Sequence, residues 1–258
     1  MTMSDSDKKV YFLSDLHLGS RCFADPAAKE RTACEFLRSI KNSAEAVYLL
    51  GDILDYWYEY RTVVPRGFVR FFGTLADLAD SGVKIKWYIG NHDIWLFDYL
   101  RDEIGITVID GYTVEDIRGK RFFLCHGDGL GRLPRTFRLI RSIFRNRFCQ
   151  KLYSAIHPRW TVPFAFRWSA SNRDGHSSDE TIYHGSDKEP QAIFAREYLR
   201  DVDPGINYFI LGHRHVVVQE SLSPSCQLII LGDWITRTSY AEFDGDSVKM
   251  KEFLPENP

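Results

Sequence analysis

The sequence predicts a layered α/β fold in which sheet packs against helices. Apolar, strand-like runs alternate along the chain with segments of helical periodicity, and this alternation is typical of such an architecture. Several of the apolar runs end in Asp, Asn or His. With 258 residues, of which 44% are hydrophobic, the chain is long enough to bury a substantial core.

The first half of the chain is predicted to contain most of the strands. Apolar, β-prone segments predict strands at residues 10–13, 46–50, 83–89, 106–109, 112–117 and 121–125. Helices are predicted at 27–40 and 67–78, and Gly82 is expected to end the second helix. In the first helix, one face carries Ala33, Phe36, Leu37 and Ile40.

The character of the sequence changes between residues 131 and 173, where arginine, aromatic residues and helix formers dominate. We predict that this segment is a helical insertion that caps the mouth of a site. A helix at 191–200 and strands at 208–211 and 227–231 follow, and a closing hairpin is predicted around Asp244-Gly245. No internal repeat is evident, so we expect one domain over residues 1–258.

Composition narrows the classes of function. The net charge of −2 gives no overall attraction to nucleic acid, which we do not expect as a partner. The five cysteines form no CxxC pair and follow no secretory signal, so a reducing cytoplasm is expected. No apolar run approaches the roughly 20 residues of a membrane-spanning helix. Peripheral contact with a membrane stays open.

Seven side chains that can bind metals follow the predicted strands. They are Asp15, His17, Asp52, Asn91, His126, His213 and His215. Because ligands gather outside the carboxyl ends of strands in α/β sheets, we expect these side chains to share one edge. Asp15 and His17 are two residues apart, so an extended chain would point both to the same side.

The donor types indicate the metals and their number. Nitrogen and oxygen donors without a thiolate suit Mn²⁺, Fe or Zn²⁺ rather than Ca²⁺. Seven donors are too many for one tetrahedral ion, whereas two ions about 3.5–4 Å apart that share a carboxylate would use them all. Such a pair binds phosphoryl oxygens and supplies a hydroxide nucleophile at neutral pH. The sequence therefore favours phosphoryl-transfer chemistry.

Further residues near these donors have candidate roles. His92 follows Asn91 and could donate a proton to a leaving oxygen or hydrogen-bond a phosphate oxygen. Asp128 and Asp233 are candidates for orienting the histidine ligands, although turn formation is an equal alternative for Asp233. Arg214, between two ligand histidines, could face a phosphate or point away.

Five motifs in a fixed order carry a resemblance to a known family. They read Asp15-Leu16-His17, Gly51-Asp52, Gly90-Asn91-His92-Asp93, His126-Gly127 and Gly212-His213-Arg214-His215. The chain thereby resembles the calcineurin-like metallophosphoesterase superfamily. The resemblance implies a four-layer α/β/β/α sandwich with a dinuclear metal centre. It assigns Asp15, His17, Asp52 and His215 to one metal and Asp52, Asn91, His126 and His213 to the other, with Asp52 bridging.

Within the superfamily, the chain is similar to the UDP-2,3-diacylglucosamine pyrophosphatases of lipid A biosynthesis. Segments 12–19, 51–57 and 126–130 carry this similarity. It implies hydrolysis at the α-phosphorus to UMP and the acylated sugar phosphate lipid X. It also implies Mn²⁺ as the metal, a lipid-linked nucleotide sugar as substrate, and peripheral contact with the cytoplasmic face of the inner membrane.

Three departures leave other functions open. The best-known branch of those enzymes has Arg at the position of His92, Thr at that of Arg214, and an Asp where this chain reads 132–135. A soluble phosphodiesterase or phosphomonoesterase on another substrate is one alternative. A catalytically silent, metal-bound interaction scaffold is another, although the retromer subunit that exemplifies it lacks part of the ligand set retained here.

The insertion gives separate evidence on the substrate. Between residues 133 and 152, one helical stripe is apolar and the opposite side carries arginines, which predicts a basic amphipathic helix. This helix could contact an anionic membrane, bind acyl chains, or pack its apolar face on the core. The aromatic stretch 160–168 adds apolar surface or core. Asn172 and Arg173 are predicted to bind substrate together with Asn91, His92 and His213, a solvated loop being the alternative.

Overall fold

The computed structural model describes residues 8–131, 135–176 and 182–255, without the side chains of Phe137 and of residues 168–176. The strands are β1 (Lys9–Leu13), β2 (Ala44–Leu50), β3 (Lys84–Tyr88), β4 (Thr107–Ile109), β5 (Tyr112–Ile117), β6 (Lys120–Cys125), β7 (Tyr208–Leu211), β8 (Val217–Ser223), β9 (Cys226–Leu231), β10 (Ser239–Phe243) and β11 (Val248–Glu252). The helices are α1 (Pro26–Ile40), α2 (Val69–Asp80), α3 (Tyr99–Ile104), α4 (Arg135–Arg145), α5 (Arg147–Ser154), α6 (Pro158–His176) and α7 (Pro190–Asp201).

The strands form two sheets. The first has the order β11-β10-β1-β2-β3-β4, and the second has the order β5-β6-β7-β9-β8. Strands β1 to β4 run parallel in the first sheet, as do β6, β7 and β9 in the second. Parallel strands place their carboxyl ends at the same edge of a sheet, so the loops that follow them collect there.

Three buried clusters join the sheets and helices into layers. Side chains such as Phe12, Tyr48, Phe122 and Ile210 fill the space between the two sheets. Helices α1 and α2 cover the other face of the first sheet, and α7 covers the other face of the second. Strand β1 contributes to two layers because its residues alternate between its faces. The predicted four-layer α/β/β/α sandwich is thus confirmed.

The first helix after the second strand begins later than the sequence predicts. Gly67 and Phe68 both have positive φ, 116° and 59°, so neither can start a right-handed helix. Helix α2 therefore starts at Val69. Helix α3 and strand β8 were not predicted: α3 has only six residues, and β8 alternates exposed and covered residues without an apolar run.

The predicted insertion contains three helices, α4, α5 and α6, rather than a single helix over 133–152. The helical conformation is interrupted at Asn146, between α4 and α5. The Asn146 side chain accepts hydrogen bonds from the backbone N–H groups of Phe148 and Cys149, 2.9 and 3.2 Å away. Asn is a favoured residue at this capping position, and here it starts α5. The third helix runs to His176, three residues beyond the predicted end.

Candidate metal centre

The loops after β1, β2, β3, β6 and β7 bring the predicted ligands together at one edge of the sandwich. Asp15, His17, Asp52 and His213 have positive φ, at 54°, 46°, 53° and 70°. The expectation that an extended chain aligns Asp15 with His17 is therefore wrong, because left-handed turns aim these side chains inward. Such conformations cost of order 1–3 kcal/mol each and persist where surrounding contacts enforce them, commonly at active sites.

Backbone hydrogen bonds between the loops enforce these turns. Asp15 N–H donates to Gly51 O at 3.0 Å, and His17 N–H donates to Asp52 O at 2.9 Å. From the second sheet, His213 N–H donates to Asp15 Oδ2 at 2.9 Å. The two sheets are thus joined directly through the candidate ligands.

The ligand atoms form two groups with Asp52 between them. One group comprises Asp15, His17 and His215, and the other comprises Asp52, His126 and His213, with the donor atoms of each group within 4.8 Å of one another. Asp52 Oδ2 lies 3.3 Å from His126 Nε2 and 3.9 Å from His17 Nε2, so it faces both groups. Asn91 Oδ1 lies 3.1 Å from His126 Nε2. All seven predicted ligands therefore converge.

The spacing and burial of these donors fit divalent cations. His17 Nε2 is buried without a hydrogen-bond partner among the described residues. It nevertheless faces two carboxylates, Asp15 Oδ1 at 3.8 Å and Asp52 Oδ2 at 3.9 Å. Ligands about 2.0–2.2 Å from a shared cation lie roughly 3–4 Å apart. A cation among these atoms would satisfy the imidazole and both carboxylates.

In three of the candidate ligand histidines, Nδ1 lies next to an oxygen atom. This contact orients the ring so that Nε2 faces the other candidate ligands. His126 Nδ1 lies 2.8 Å from Leu50 O, His17 Nδ1 lies 3.3 Å from Asp55 Oδ1, and His215 Nδ1 lies 3.4 Å from Asp233 Oδ2. Such contacts fix the tautomer and orientation of metal-binding imidazoles.

Asp55 was not predicted from the sequence as a site residue. Its spacing of three residues from Asp52, in the same loop, was the available signal. For Asp233 the sequence left two roles open, orienting a histidine and forming a turn, and the structure shows both contacts. Its Oδ2 faces His215, and its Oδ1 accepts hydrogen bonds from Thr236 N and Oγ1, closing a turn.

Two further predicted site residues, Asp128 and Arg214, contact charged side chains that are not candidate metal ligands. Asp128 Oδ2 accepts a hydrogen bond from Arg141 Nε at 2.9 Å, so its orienting role toward a histidine stays a prediction. Arg214 points away from the centre, with its Nε 3.3 Å from Glu189 Oε1. The side chains of Asn172 and Arg173 lie outside the described part of the chain.

His92 lies beside the Asp52 carboxylate at the surface of the candidate centre. Its backbone N–H donates to Asp52 Oδ1 at 2.8 Å, and its Nδ1 lies 3.1 Å from Asp55 O. Because a carbonyl oxygen only accepts, this contact makes Nδ1 the donor nitrogen. The side chain is 17% exposed, so a substrate can reach it.

The electrostatics of Asp52, His17 and His213 match the protonation states that metal ligands need. For His126 they do not: burial would lower its pKa, but the Asp52 and Asp15 carboxylates raise it overall. Burial alone would raise the pKa of Asp52, but His126 and His92 hold it well below its usual value. Burial lowers the pKa of both His17 and His213, which favours the neutral imidazole. Ionised carboxylates and neutral imidazoles are the forms that bind divalent metals.

The insertion rests on the same loops that carry the ligands. Tyr58 Oη donates to Gln150 O at 2.6 Å, and Trp95 Nε1 donates to Phe144 O at 2.9 Å. Both donors belong to loops that follow candidate ligands, Asp52 and Asn91. The positions of α4 and α5 are therefore tied to the loops that carry candidate ligands.

The outer surface of the insertion is apolar and basic. Its exposed large apolar side chains are Leu139, Ile140, Ile143, Phe148, Leu152, Ile156, Trp160 and Phe164. Its exposed basic side chains are Arg135, Arg138, Arg147, Lys151, Arg159 and Arg167. Only part of the predicted apolar stripe packs inward, as Phe144 does against Trp95. Among the described residues, no helix has the length and apolar character needed to cross a bilayer.

The two-sheet fold and the nitrogen and oxygen donors are typical of metal-dependent phosphoesterases, and a comparison with protein families gives the same class. The family model described as calcineurin-like phosphoesterase matches residues 8–217. The chain belongs to the calcineurin-like phosphoesterase family. It is a metal-dependent hydrolase of phosphoric ester or pyrophosphate bonds, as the motifs predicted.

Particular relatives narrow the comparison. The chain is 42% identical over 255 residues to a UDP-2,3-diacylglucosamine hydrolase of Porphyromonas gingivalis, covering 94% of this chain and 97% of that protein. It is 29% identical to a protein of the same name from Neisseria meningitidis, covering 93% and 95%. Among solved structures, a dimetal phosphatase from Danio rerio is 14% identical with a TM-score of 0.47, and the match covers 96% of each chain.

Proposed function

We propose that this protein hydrolyses the pyrophosphate bond of UDP-2,3-diacylglucosamine to UMP and 2,3-diacylglucosamine 1-phosphate (lipid X), a step of lipid A biosynthesis. Similarity over nearly the whole chain to two proteins named for this substrate supports the proposal. The observation that carries it is the position of the two donor groups beside an insertion rich in exposed apolar and basic side chains. A substrate with a pyrophosphate and acyl chains needs both surfaces.

The two donor groups would hold a pair of divalent ions, for which we propose Mn²⁺, with Fe and Zn²⁺ as compatible metals. Asp15, His17 and His215 would bind one ion, and Asn91, His126 and His213 the other, with Asp52 shared. When bound, such a pair polarises phosphoryl oxygens and activates a water as nucleophile.

The protein's own residues would orient the reacting groups. His92 is held through its backbone N–H by Asp52 Oδ1 and through its Nδ1 by Asp55 O. From this position, the imidazole can hydrogen-bond a phosphoryl oxygen or, once protonated, donate a proton to the leaving oxygen. Asn91, His213, Asn172 and Arg173 are proposed to complete the substrate contacts.

We propose that residues 131–173 are the cap of a single domain over 1–258 and bind the acyl chains. Trp160 is 70% and Phe148 68% exposed. Burying one such side chain in lipid contributes about 1.5–3 kcal/mol, and neighbouring basic residues add attraction to anionic head groups. These surfaces support peripheral contact with the cytoplasmic face of the inner membrane.

Turnover of acylated and unacylated substrates tests the proposal. Purified protein with Mn²⁺ is given UDP-2,3-diacylglucosamine in mixed micelles or UDP-N-acetylglucosamine in solution, with Asp52→Asn as the inactive control. We expect UMP from the acylated substrate at a kcat/KM at least about tenfold higher, because acyl burial adds binding energy. Equal turnover of both, or cleavage of only a generic aryl phosphodiester, would indicate a soluble phosphodiesterase. Stable metal binding without any turnover would indicate a scaffold.

A further inference from the structure

Arg145, the last residue of α4, brings a guanidinium group from the insertion to the end of β4, the strand next to β3. Its partner Asp110 directly follows β4, which pairs with β3 in parallel through Tyr88 and Ile109. Asn91 and His92 follow β3 at the same edge of that sheet. Arg145 therefore lies on the β4 side of the loop that carries His92.

The position of Arg145 is fixed by the residue before it. Phe144 O accepts hydrogen bonds from Trp95 Nε1 and Gln150 Nε2, each at 2.9 Å. The Phe144 ring packs on the Trp95 ring with centroids 5.6 Å apart. Since Trp95 lies in the same β3–α3 loop as Asn91, the backbone before Arg145 is attached to a loop that carries a candidate ligand.

Much of the hydrogen-bonding capacity of Arg145 is unused although the side chain is only 19% exposed. Nη1 pairs with Asp110 Oδ1, but Nε and Nη2 are buried without a hydrogen-bond partner among the described residues. Buried donors that lack an acceptor cost about 1–3 kcal/mol each, and more when the group is charged. A guanidinium that retains these donors is suited to an acceptor that arrives from outside the chain.

The nearby buried carboxylate of Asp93 is not that acceptor in this structure. Asp93 acts electrostatically on Arg145, but it accepts no hydrogen bond from Nε or Nη2. Oδ1 accepts from Gly90 N at 2.8 Å, and Oδ2 accepts from Ile53 N and Trp87 Nε1 at 3.0 Å. Arg145 thus has a positive charge and two donor nitrogens without an acceptor among the described residues, next to the strand end that leads into Asn91 and His92.

We propose that Arg145 is a substrate-binding residue that contacts a phosphoryl oxygen of a pyrophosphate substrate through Nε and Nη2. Adjacent guanidinium nitrogens match two oxygens of one phosphoryl group, and such charge-assisted bonds are the stronger class. This inference rests on the proposed function and extends it. Arg145 would favour substrates that have a second phosphoryl group. The metal ligands alone would not distinguish them from esters with one phosphorus atom.

The structural alternative is that Arg145 only anchors the insertion through Asp110. Asp110→Asn is the matched control, since it removes the charge partner and leaves Arg145 in place. Arg145→Ala, Arg145→Lys and Asp110→Asn are compared with the wild type on UDP-2,3-diacylglucosamine and on bis(p-nitrophenyl) phosphate, which has one phosphorus. Thermal unfolding and metal content verify that each variant is folded and loaded.

We expect Arg145→Ala to raise KM for the pyrophosphate substrate about 10–100-fold, the effect of losing one charge-assisted contact. Hydrolysis of the single-phosphorus ester should stay within about twofold of wild type, and Asp110→Asn should change both substrates little. Arg145→Lys should restore part of the loss. Equal losses on both substrates, or an Asp110→Asn variant that matches Arg145→Ala, would overturn the proposal.

A second readout separates this inference from the proposed function. UDP and UMP are compared as inhibitors of bis(p-nitrophenyl) phosphate hydrolysis in excess Mn²⁺. We expect Arg145→Ala to weaken inhibition by UDP about tenfold and inhibition by UMP much less. If the wild type does not cleave the acylated substrate but this difference holds, the proposed function fails and the role of Arg145 stands. If UDP and UMP are affected equally, the role of Arg145 fails.

Discussion

Replacing Gly90 with alanine should displace the Asp52 carboxylate without unfolding the protein. A Cβ atom at Gly90 would lie 2.2 Å from Asp52 Oδ1 and 2.5 Å from Asp52 N. Ordinary contact begins near 3.4 Å, so Asp52 or the Gly90 backbone must shift by about 1 Å. Neither moves freely, because Gly90 N–H donates to Asp93 Oδ1 at 2.8 Å and Asp52 Oδ1 accepts from His92 N–H at 2.8 Å.

The magnitude of the loss follows from the geometry that metal sites require. Ligand distances are held within about 0.2 Å, and a 1 Å misplacement of a reacting group can cost about 10²-fold in rate. We therefore expect Gly90→Ala to lower kcat/KM about 100-fold or more and to reduce the metal content below two ions per chain. Overpacking should lower stability by about 1–3 kcal/mol.

The assay combines bis(p-nitrophenyl) phosphate hydrolysis, metal analysis by mass spectrometry and thermal unfolding. Gly73→Ala in α2 is the matched control, because no atom lies within 4 Å of its added Cβ. That variant should keep full activity and gain up to about 1 kcal/mol of stability. A Gly90→Ala protein that binds two metals and retains wild-type kcat/KM would refute the reasoning.

Three other predictions concern His92, Asp55 and Glu242. His92→Ala should keep both metals and lower kcat about 10²–10⁴-fold, and a fully active variant would remove its proposed role. Asp55→Asn should weaken metal affinity about 10–100-fold in a chelator titration, because Asp55 Oδ1 lies 3.3 Å from His17 Nδ1; unchanged affinity would make this contact incidental. Glu242 is far from the site; burial would raise its pKa, but Lys9 and Lys251 lower it overall. Its stabilisation should therefore be present above the unfolded pKa of about 4.3 and be lost as pH falls through the folded pKa. In urea unfolding, Glu242→Gln should cost about 1.5–3 kcal/mol near pH 7 and much less near pH 3, whereas a pH-independent cost would contradict this explanation.

The sequence allowed the parallel strands and the ligand set to be predicted because both have local signals. Strand β7 coincides with the predicted range, since its apolar run has clear bounds. The ligands were recognisable because each motif follows such a strand. Their convergence follows from parallel topology, which places the strand ends at one edge.

Other features depend on contacts that no local pattern encodes. The break at Asn146 separates two segments with a common helical periodicity, and only the capping geometry shows it. The left-handed turns at Asp15 and Asp52 are imposed by hydrogen bonds from neighbouring loops. The roles of Asp55 and Arg145 depend on partners more than 30 residues away in sequence.

Hydrolysis in ¹⁸O-labelled water tests the central claim most directly, that a metal-activated water cleaves the pyrophosphate of UDP-2,3-diacylglucosamine. Purified protein with Mn²⁺ is incubated with this substrate, and the products are identified by mass spectrometry. The account predicts UMP that carries the label beside unlabelled lipid X, and no product after metal removal. Label in lipid X, or turnover that persists without metal, would contradict it.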